Sequence, residues 1–161
     1  MDKHDIRLIV EELQHAYTDC LDDDRLEEWP TLFTRECTYR VVPRENFVQG
    51  LPLAIMFCDN DRALTDRVTS HRNANLFAPH VYRHLLGRIK IVEQQGAEVT
   101  TRCNYAVFRT ALDPVDYGSS ELFSVGEYRD RIVIADGIAK FKEKTVIIDT
   151  CKIQSLLATP L

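Results

Sequence analysis

The chain has 161 residues and a mass of 18.6 kDa, with 45% hydrophobic and 28% charged side chains, a composition that excludes disordered, collagen-like and repeat-linker proteins. Its length fits one domain, residues 1–161, with a core large enough to fold without disulfides or bound metal. The net charge of −5 argues against nucleic acid as a partner, and residues 1–80 hold 15 of the 25 acidic side chains.

The first predicted elements are helices. Apolar residues recur at helical spacing between Ile6 and Leu21, which predicts an amphipathic first helix. Asp24 and Glu27 match a capping pair, so a short second helix is expected after them, interrupted by Pro30.

A strand and a third helix are predicted next. Residues 38–42 are rich in β-branched and aromatic side chains, which favours a strand that ends at Pro43. The third helix is expected to begin at residues 50–52, with Pro52 in its first turn, and to continue to Val68. Helices therefore fall mainly within residues 1–70.

The second half, residues 81–152, is predicted to be a sheet. Asp136 and Gly137 lie between two apolar segments and match a two-residue type I′ turn. Helices followed by a meander of long antiparallel strands indicate an α+β fold in which the sheet curls around the helices. The predicted strands are residues 82–93, 98–112, 121–135 and 138–151.

Three lysines alternate along the last of these strands. Lys140, Lys142 and Lys144 are two residues apart, and a strand with a period of two would place all three on one solvent-facing side. We assign them no function.

Metal and redox sites find little support. The five cysteines include no C-x-x-C pair, so reduced and mostly buried thiols are expected. His80 and His84 have the spacing of metal ligands on a helix, but they lie in a predicted strand, which favours ordinary structural or interfacial histidines. We expect no metal on this chain.

Positive charge concentrates in residues 62–88, among aromatic residues such as Phe77 and Tyr82. Such a cluster fits either a solvated face or a subunit contact, because arginine and aromatic side chains often anchor interfaces. The apolar residues 155–161 are also expected to dock, on this chain or on another subunit.

A catalytic group inside the curled sheet stays an alternative. Tyr17, Asp66 and His84 are the candidates for a general acid or base in such a pocket. Each has a structural explanation: Tyr17 lies on the apolar face of the first helix, Asp66 can pair with Arg67, and His84 can bond within a filled interior.

Several segments, in this order and spacing, resemble the small (β) subunits of bacterial aromatic-ring-hydroxylating dioxygenases. Residues 43–53 look most similar to the branch that acts on aromatic carboxylates such as salicylate, anthranilate and terephthalate. The matching segments are 29–40 (WPTLFTRECTYR), 43–53 (PRENFVQGLPL), 66–67 (DR), 82–87 (YRHLLG), 104–110 (NYAVFRT) and 126–130 (GEYRD).

The resemblance implies a cone-shaped fold similar to nuclear transport factor 2 and ketosteroid isomerase. It also implies large subunits that hold a Rieske [2Fe-2S] cluster and a mononuclear iron, joined by small subunits, commonly three of each. A Rieske centre needs C-x-H and C-x-x-H pairs, and no cysteine here has a histidine at either spacing. The iron chemistry is therefore expected on the large subunit.

Three hypotheses follow. The first is a non-catalytic assembly subunit in contact with a large subunit and with other copies of itself. The second is a free-standing dehydratase, isomerase or cyclase of the same fold, and the third is a small-ligand binding module.

The absence of an apolar signal segment and of any long apolar run favours a cytoplasmic protein without a membrane partner. The interface candidates for the first hypothesis are Trp29, Arg67, Arg72, Tyr82, Arg83, Arg88 and Leu161.

Overall fold

A computed structural model gives the fold and describes residues 3–74, 78–149 and 159–161. It confirms the α+β class, with helices mostly in the first half and a curved sheet that follows them. The helices are α1 (Lys3–Asp22), α2 (Arg44–Val48) and α3 (Asp61–Asn73), with a 3-10 turn at Trp29–Leu32. The strands are β1 (Phe33–Pro43), β2 (Met56–Cys58), β3 (His80–Leu86), β4 (Lys90–Gln95), β5 (Glu98–Ala111), β6 (Ser120–Ala135) and β7 (Ile138–Ile148).

The sheet has the order β2-β1-β7-β6-β5-β3, and β4 also pairs with β5. The pairs among β3 to β7 are antiparallel, as the sequence predicts, but β1 runs parallel to β7 and separates it from β2. The meander therefore does not include β1, because a parallel partner must come from a distant part of the chain.

The first helix is confirmed, and its apolar side faces the sheet. Ile6, Val10, Leu13 and Tyr17 are buried and belong to the same core cluster as the inward side chains of the strands. The next predicted helix forms only the 3-10 turn, in which Pro30 occupies one of the first two positions.

The predicted start of the third helix is wrong. Residues 56–58 form the edge strand β2, in which Met56 and Cys58 are buried and Phe57 is exposed. The helix begins only at Asp61, where the Asn60 side chain accepts a hydrogen bond from the backbone N–H of Ala63 at 2.9 Å. An asparagine N-cap sets this boundary more strongly than the earlier proline.

The segment predicted as one strand over residues 82–93 forms two strands, β3 and β4. The break includes Gly87, whose N–H donates to the carbonyl of Asn104 at 2.8 Å. A Cβ at Gly87 would lie 3.3 Å from that same oxygen. The close backbone approach at this glycine thus continues the pairing with β5 one residue past β3, and β4 begins at Lys90.

The turn between β6 and β7 is confirmed. Asp136 and Gly137 have φ values of 52° and 76°, and Ala135 pairs with Ile138 across them. Positive φ at both central residues matches the type I′ geometry that Asp-Gly favours.

The prediction for the three lysines is wrong for Lys144, which is fully buried. The pairing of β6 with β7 shifts register here, because Arg131 lies opposite Glu143 and the next residue, Ile132, lies opposite Phe141. Lys142 therefore has no opposite residue, and this β-bulge reverses the alternation of side chains that follow it. Lys144 consequently points into the cone.

Some residues that carry predictions lie outside the described residues. This applies to Cys151, to residues 155–158, and also to Phe77 in the basic segment. Within the described residues β7 ends at Ile148.

Gly126 has no room for a side chain. It lies between Tyr105 on β5 and Ile148 on β7. A Cβ at this position would overlap the carbonyl oxygen of Ile147 and come within 3.0 Å of a ring carbon of Tyr105. The first residue of the GEYRD segment is therefore fixed by packing.

We predict that Gly126→Ala lowers the free energy of unfolding by about 3 kcal/mol or more, since backbone and ring must move to admit the methyl group. Urea denaturation followed by circular dichroism measures this. Gly96→Asn is the control, because Gly96 has φ +58° and open space around its Cβ position. A Gly126→Ala protein as stable as that control would contradict the packing argument.

Candidate functional site: the cone interior and the outer face of the sheet

A buried cation lies at the centre of the cone. The Nζ of Lys144 is 3.2 and 3.3 Å from the two carboxylate oxygens of Asp130 and 3.1 Å from Oε1 of Gln14. Gln14 in turn donates from its Nε2 to Asp130. The side chains of Lys144 and Asp130 have no solvent exposure.

Aromatic rings enclose the same ammonium group. Its Nζ lies 4.0 Å from the ring centroid of Tyr128, 4.2 Å from that of Tyr17 and 4.4 Å from that of Phe141. These distances fit cation–π contacts. Rings, carboxylate and amide together surround the charge, so this cluster joins α1 to β6 and β7.

Burial acts on the pKa values of both charged partners. It lowers the pKa of Lys144 and raises the pKa of Asp130, because the low-dielectric interior disfavours either charge. Their mutual attraction opposes both shifts. Burial also raises the pKa of Tyr17 well above its usual value, so this phenol is a hydrogen-bond donor rather than a base.

The burial pattern of β7 shows why a period-two reading of the sequence misses this cluster. Phe141 and Val146 are both fully buried although they are five residues apart on one strand. Residues at an odd spacing share a face only if a bulge lies between them. That bulge places Lys144 on the buried side.

The described end of the chain also packs in the interior. Leu161 is fully buried, and its backbone N–H donates to the hydroxyl of Tyr39 at 3.0 Å. Its carbonyl oxygen accepts hydrogen bonds from Tyr17 and, at 3.2 Å, from Tyr39. The expected docking of the C-terminal residues thus occurs on this chain, at residues 159–161.

A cavity of about 320 Å³ borders this segment. The Oγ1 of Thr159 lies 2.9 Å from Nε2 of His71, which is buried on α3. Burial, and next the charge of Arg72, lowers the pKa of His71. The neutral form of His71 is therefore favoured beside the docked segment.

The three catalytic candidates lie in different surroundings. Tyr17 bonds to Leu161 in the core, and the buried His84 ring has its Nδ1 2.5 Å from Oδ1 of Asp22. Asp66 is exposed on α3 and lines a small surface pocket with neighbouring residues of that helix. The structure does not join the three candidates into one pocket.

The aromatic and apolar interface candidates are buried within the chain. Trp29 and Leu161 have no exposure, and the edge of the Trp29 ring packs against Tyr39 with centroids 5.0 Å apart. Tyr82 is 4% exposed and stacks on Phe123. Their side chains therefore support the core.

The arginine candidates lie nearer the surface. Arg72 holds Asp24 and Glu27 through several hydrogen bonds of 2.7 to 3.0 Å, which connects α3 to the segment after α1. Arg83 has 63% of its side chain exposed, Arg88 is exposed, and Arg67 is half-buried. Arg83 and Arg88 are thus available for contact.

Two surfaces on the outer face of the sheet escape the sequence analysis. They arise from cross-strand neighbours, which become visible only once the register is known. The outer apolar patch consists of Leu85, Ala106, Phe108, Leu122 and Val125 on β3, β5 and β6. The basic row consists of Lys90, Arg102, Arg129 and Arg40, each exposed, on β4, β5, β6 and β1.

The described part of the chain lacks the groups that a metal site or a membrane span would need. No three His, Cys, Asp or Glu side chains there form a group able to hold a metal ion. Within the same residues, no helix combines the length and apolar character required to cross a bilayer.

We predict that Lys144→Met destabilises the fold by about 3–5 kcal/mol, because it leaves the Asp130 carboxylate buried without a cation. The double variant Lys144→Met/Asp130→Asn should recover part of this loss, since the remaining amide is neutral. Urea denaturation measures both proteins. If the double variant is no more stable than the single one, the loss does not come from an unpaired charge.

A second prediction concerns pH. The folded chain binds a proton at His71 less readily than the unfolded chain. The contribution of the neutral His71 to the free energy of unfolding is therefore fully present above a pH of about 6.5, and it is lost as pH falls through the lowered pKa. The urea midpoint should fall between about pH 7 and pH 5, and His71→Gln should reduce that fall. The exposed His15 gives the control His15→Gln, which should keep the full fall. An equal pH response in both variants would contradict this assignment.

Comparisons with known proteins agree with this geometry. The family model for the ring hydroxylating beta subunit matches residues 16–155. The chain is 44% identical to the anthranilate 1,2-dioxygenase small subunit of Burkholderia cepacia, over 92% of this chain and 90% of that protein. It is 34% identical to the terephthalate 1,2-dioxygenase terminal oxygenase component subunit beta 1 of a Comamonas species, over 91% and 92%.

A solved structure extends the likeness to the whole fold. This is a beta subunit from Novosphingobium aromaticivorans assigned to an aromatic-ring-hydroxylating dioxygenase, 42% identical, with a TM-score of 0.87 and 97% of each chain covered. By sequence and by fold, the chain belongs to the ring hydroxylating beta subunit family.

Proposed function

We propose that this chain is the non-catalytic small subunit of a ring-hydroxylating dioxygenase or hydroxylase that acts on an aromatic acid. Its role is to hold together large subunits that perform the oxidation, in the degradation of aromatic compounds. The observation that carries this proposal is the ion pair of Lys144 and Asp130, which is fully buried among α1, β6 and β7 and so is not open to a substrate. The names of the relatives, small subunits of anthranilate and terephthalate dioxygenases, support it.

The cofactors belong to the partner in this proposal. The large subunit holds the Rieske [2Fe-2S] cluster and the mononuclear iron, and the small subunit supplies no ligand to either. The absence of C-x-H and C-x-x-H pairs from this sequence supports that division. The complex contains three copies of each subunit and acts in the cytoplasm.

The outer apolar patch is the surface we assign to the large subunit. Leu85, Phe108 and Leu122 are 58%, 38% and 53% exposed, and they adjoin one another across three strands. Arg83 lies opposite Phe108 at the margin of the patch. An apolar centre with arginine at its rim is the common anatomy of a protein interface.

We predict that Phe108→Asp/Leu122→Asp weakens association with the large subunit at least about tenfold, because two carboxylates would be desolvated at an apolar contact. The test co-expresses the chain with its large subunit, purifies the complex through a tag on the small subunit, and measures mass and iron. The expected complex contains iron on the heavier polypeptide, and the variant chain is recovered without it.

A matched control separates this effect from a general effect of surface charge. Val115→Asp/Tyr117→Asp alters two side chains that are 88% and 75% exposed in the loop between β5 and β6. This control should retain the complex. A wild-type chain recovered alone and free of iron would reject the proposed function, whereas a retained complex in the patch variant would reject only the assigned surface.

A further inference from the structure

The basic row is unusual for an acidic protein. Four positively charged side chains lie in a line across the strands, and the one uncharged position in this line is Thr145 on β7. Lys90 lies opposite Arg102, and Arg102 lies opposite Arg129. Thr145 then lies beside both Arg129 and Arg40. Like charges directly opposite on a sheet are destabilising. The isolated chain thus maintains a repulsive arrangement on its outer face.

A single carboxylate partly neutralises the row. Glu127 lies 2.5 Å from Nε of Arg129 and 3.3 Å from Nε of Arg102. Among the described residues no carboxylate pairs with Lys90 or Arg40, and Arg40 donates only to the hydroxyl of Thr145 at 3.0 Å. Four cations face one anion, so an acidic surface placed against the row would be attracted to it.

The chain itself exposes such a surface on α1. Asp5, Glu12 and Asp19 are seven residues apart and exposed, so they follow one face of the helix. Leu8 and His15 lie between them on that face, and Arg7 beside it is paired with Glu11 at 2.9 Å. No described residue forms an ion pair with Glu12 or Asp19. We call this face the acidic stripe.

The two surfaces have matching lengths. Fourteen residues of helix separate the ends of the acidic stripe, which is about 21 Å at 1.5 Å per residue. The basic row crosses from β4 to β1 in four strand spacings, about 19 Å. The acidic stripe lies on a helix that covers one side of the sheet, whereas the basic row lies on the opposite side. Where α1 does approach the row, at a cavity lined also by Lys90 and Arg102, it presents Lys3 and Arg7 and not the acidic stripe.

We infer that the basic row of one copy of this chain docks against the acidic stripe of a second copy. This inference rests on the proposed function and deepens it, by naming the surfaces through which small subunits contact one another. The contact is head-to-tail, because each copy uses two different surfaces, and repetition of such a contact closes a ring when the rotation allows. Three copies can form that ring and match the proposed stoichiometry.

The basic row and the outer apolar patch are separate surfaces. Arg102 and Ala106 on β5 are four residues apart, which is about 13 Å along the strand. A small subunit can therefore contact a large subunit and another small subunit at the same time.

Sedimentation velocity of the full-length chain tests the inference at about 50 mM and about 500 mM salt. The wild-type chain should self-associate, and more weakly at the higher salt concentration. Glu12→Lys/Asp19→Lys on the exposed helix face should weaken association about tenfold or more, and Arg40→Glu/Arg102→Glu should do the same. The second variant leaves Arg129 in place to hold Glu127.

Mixing the two variants gives the sharpest result. The reversed row of one variant meets the reversed stripe of the other with opposite charges, so the mixture should associate although neither variant does alone. Recovery in the mixture would also show that both variants are folded. Arg35→Glu/Lys140→Glu is the control for the row variant. It makes the same change in net charge as Arg40→Glu/Arg102→Glu, at exposed residues outside both surfaces, and should associate as the wild type does.

Other outcomes overturn the inference. These are a wild-type chain that is monomeric at low salt, stripe variants that associate normally, or a mixture that fails to recover. Recovery of the large subunit is measured on the same variants to test the proposed function separately. If Arg40→Glu/Arg102→Glu loses the large subunit while Glu12→Lys/Asp19→Lys keeps it and self-association is unchanged, the row binds the large subunit, and the self-contact is wrong.

Discussion

The structure depends on the burial of one ammonium group. Lys144 has no exposure, and such a charge is tolerated inside a protein only when carboxylate, amide and ring faces replace its water. That requirement determines the partners: Asp130 on the neighbouring strand, Gln14 on α1, and three aromatic rings. The helix and the sheet are thereby tied at a fixed point in the centre of the cone.

One short segment shows how both sides of the sheet are built. In GEYRD, Gly126 admits the backbone of β7, Tyr128 and Asp130 point inward to Lys144, and Glu127 and Arg129 point outward to the basic row. Alternation along a strand places neighbouring side chains on opposite faces of the sheet. The segment that supports the family resemblance therefore serves the filled interior and the outer surface at once.

The fold was predictable where the pattern is local. The helical spacing of α1 and the Asp-Gly turn depend on neighbouring residues, and both agree with the structure. The buried lysine was not, because a bulge at Lys142 reverses the alternation, and a bulge depends on the opposite strand. The basic row and the outer apolar patch depend on register across several strands, for which one sequence offers no signal. Trp29 and Tyr82 show another limit of prediction from sequence. Both were interface candidates and both are buried, because an aromatic residue suited to an interface is equally suited to a core.

The parallel pairing of β1 with β7 has a consequence for how the chain folds. Arg40 and Thr145 are neighbours in the sheet although 105 residues separate them in the chain. Contacts between such distant residues slow folding, because a long loop must close before they form. During synthesis β1 therefore lacks its parallel partner until β7 has left the ribosome. The open side of β1 is a place at which an incomplete chain would aggregate, so rapid supply of the last strand protects the yield of folded subunits.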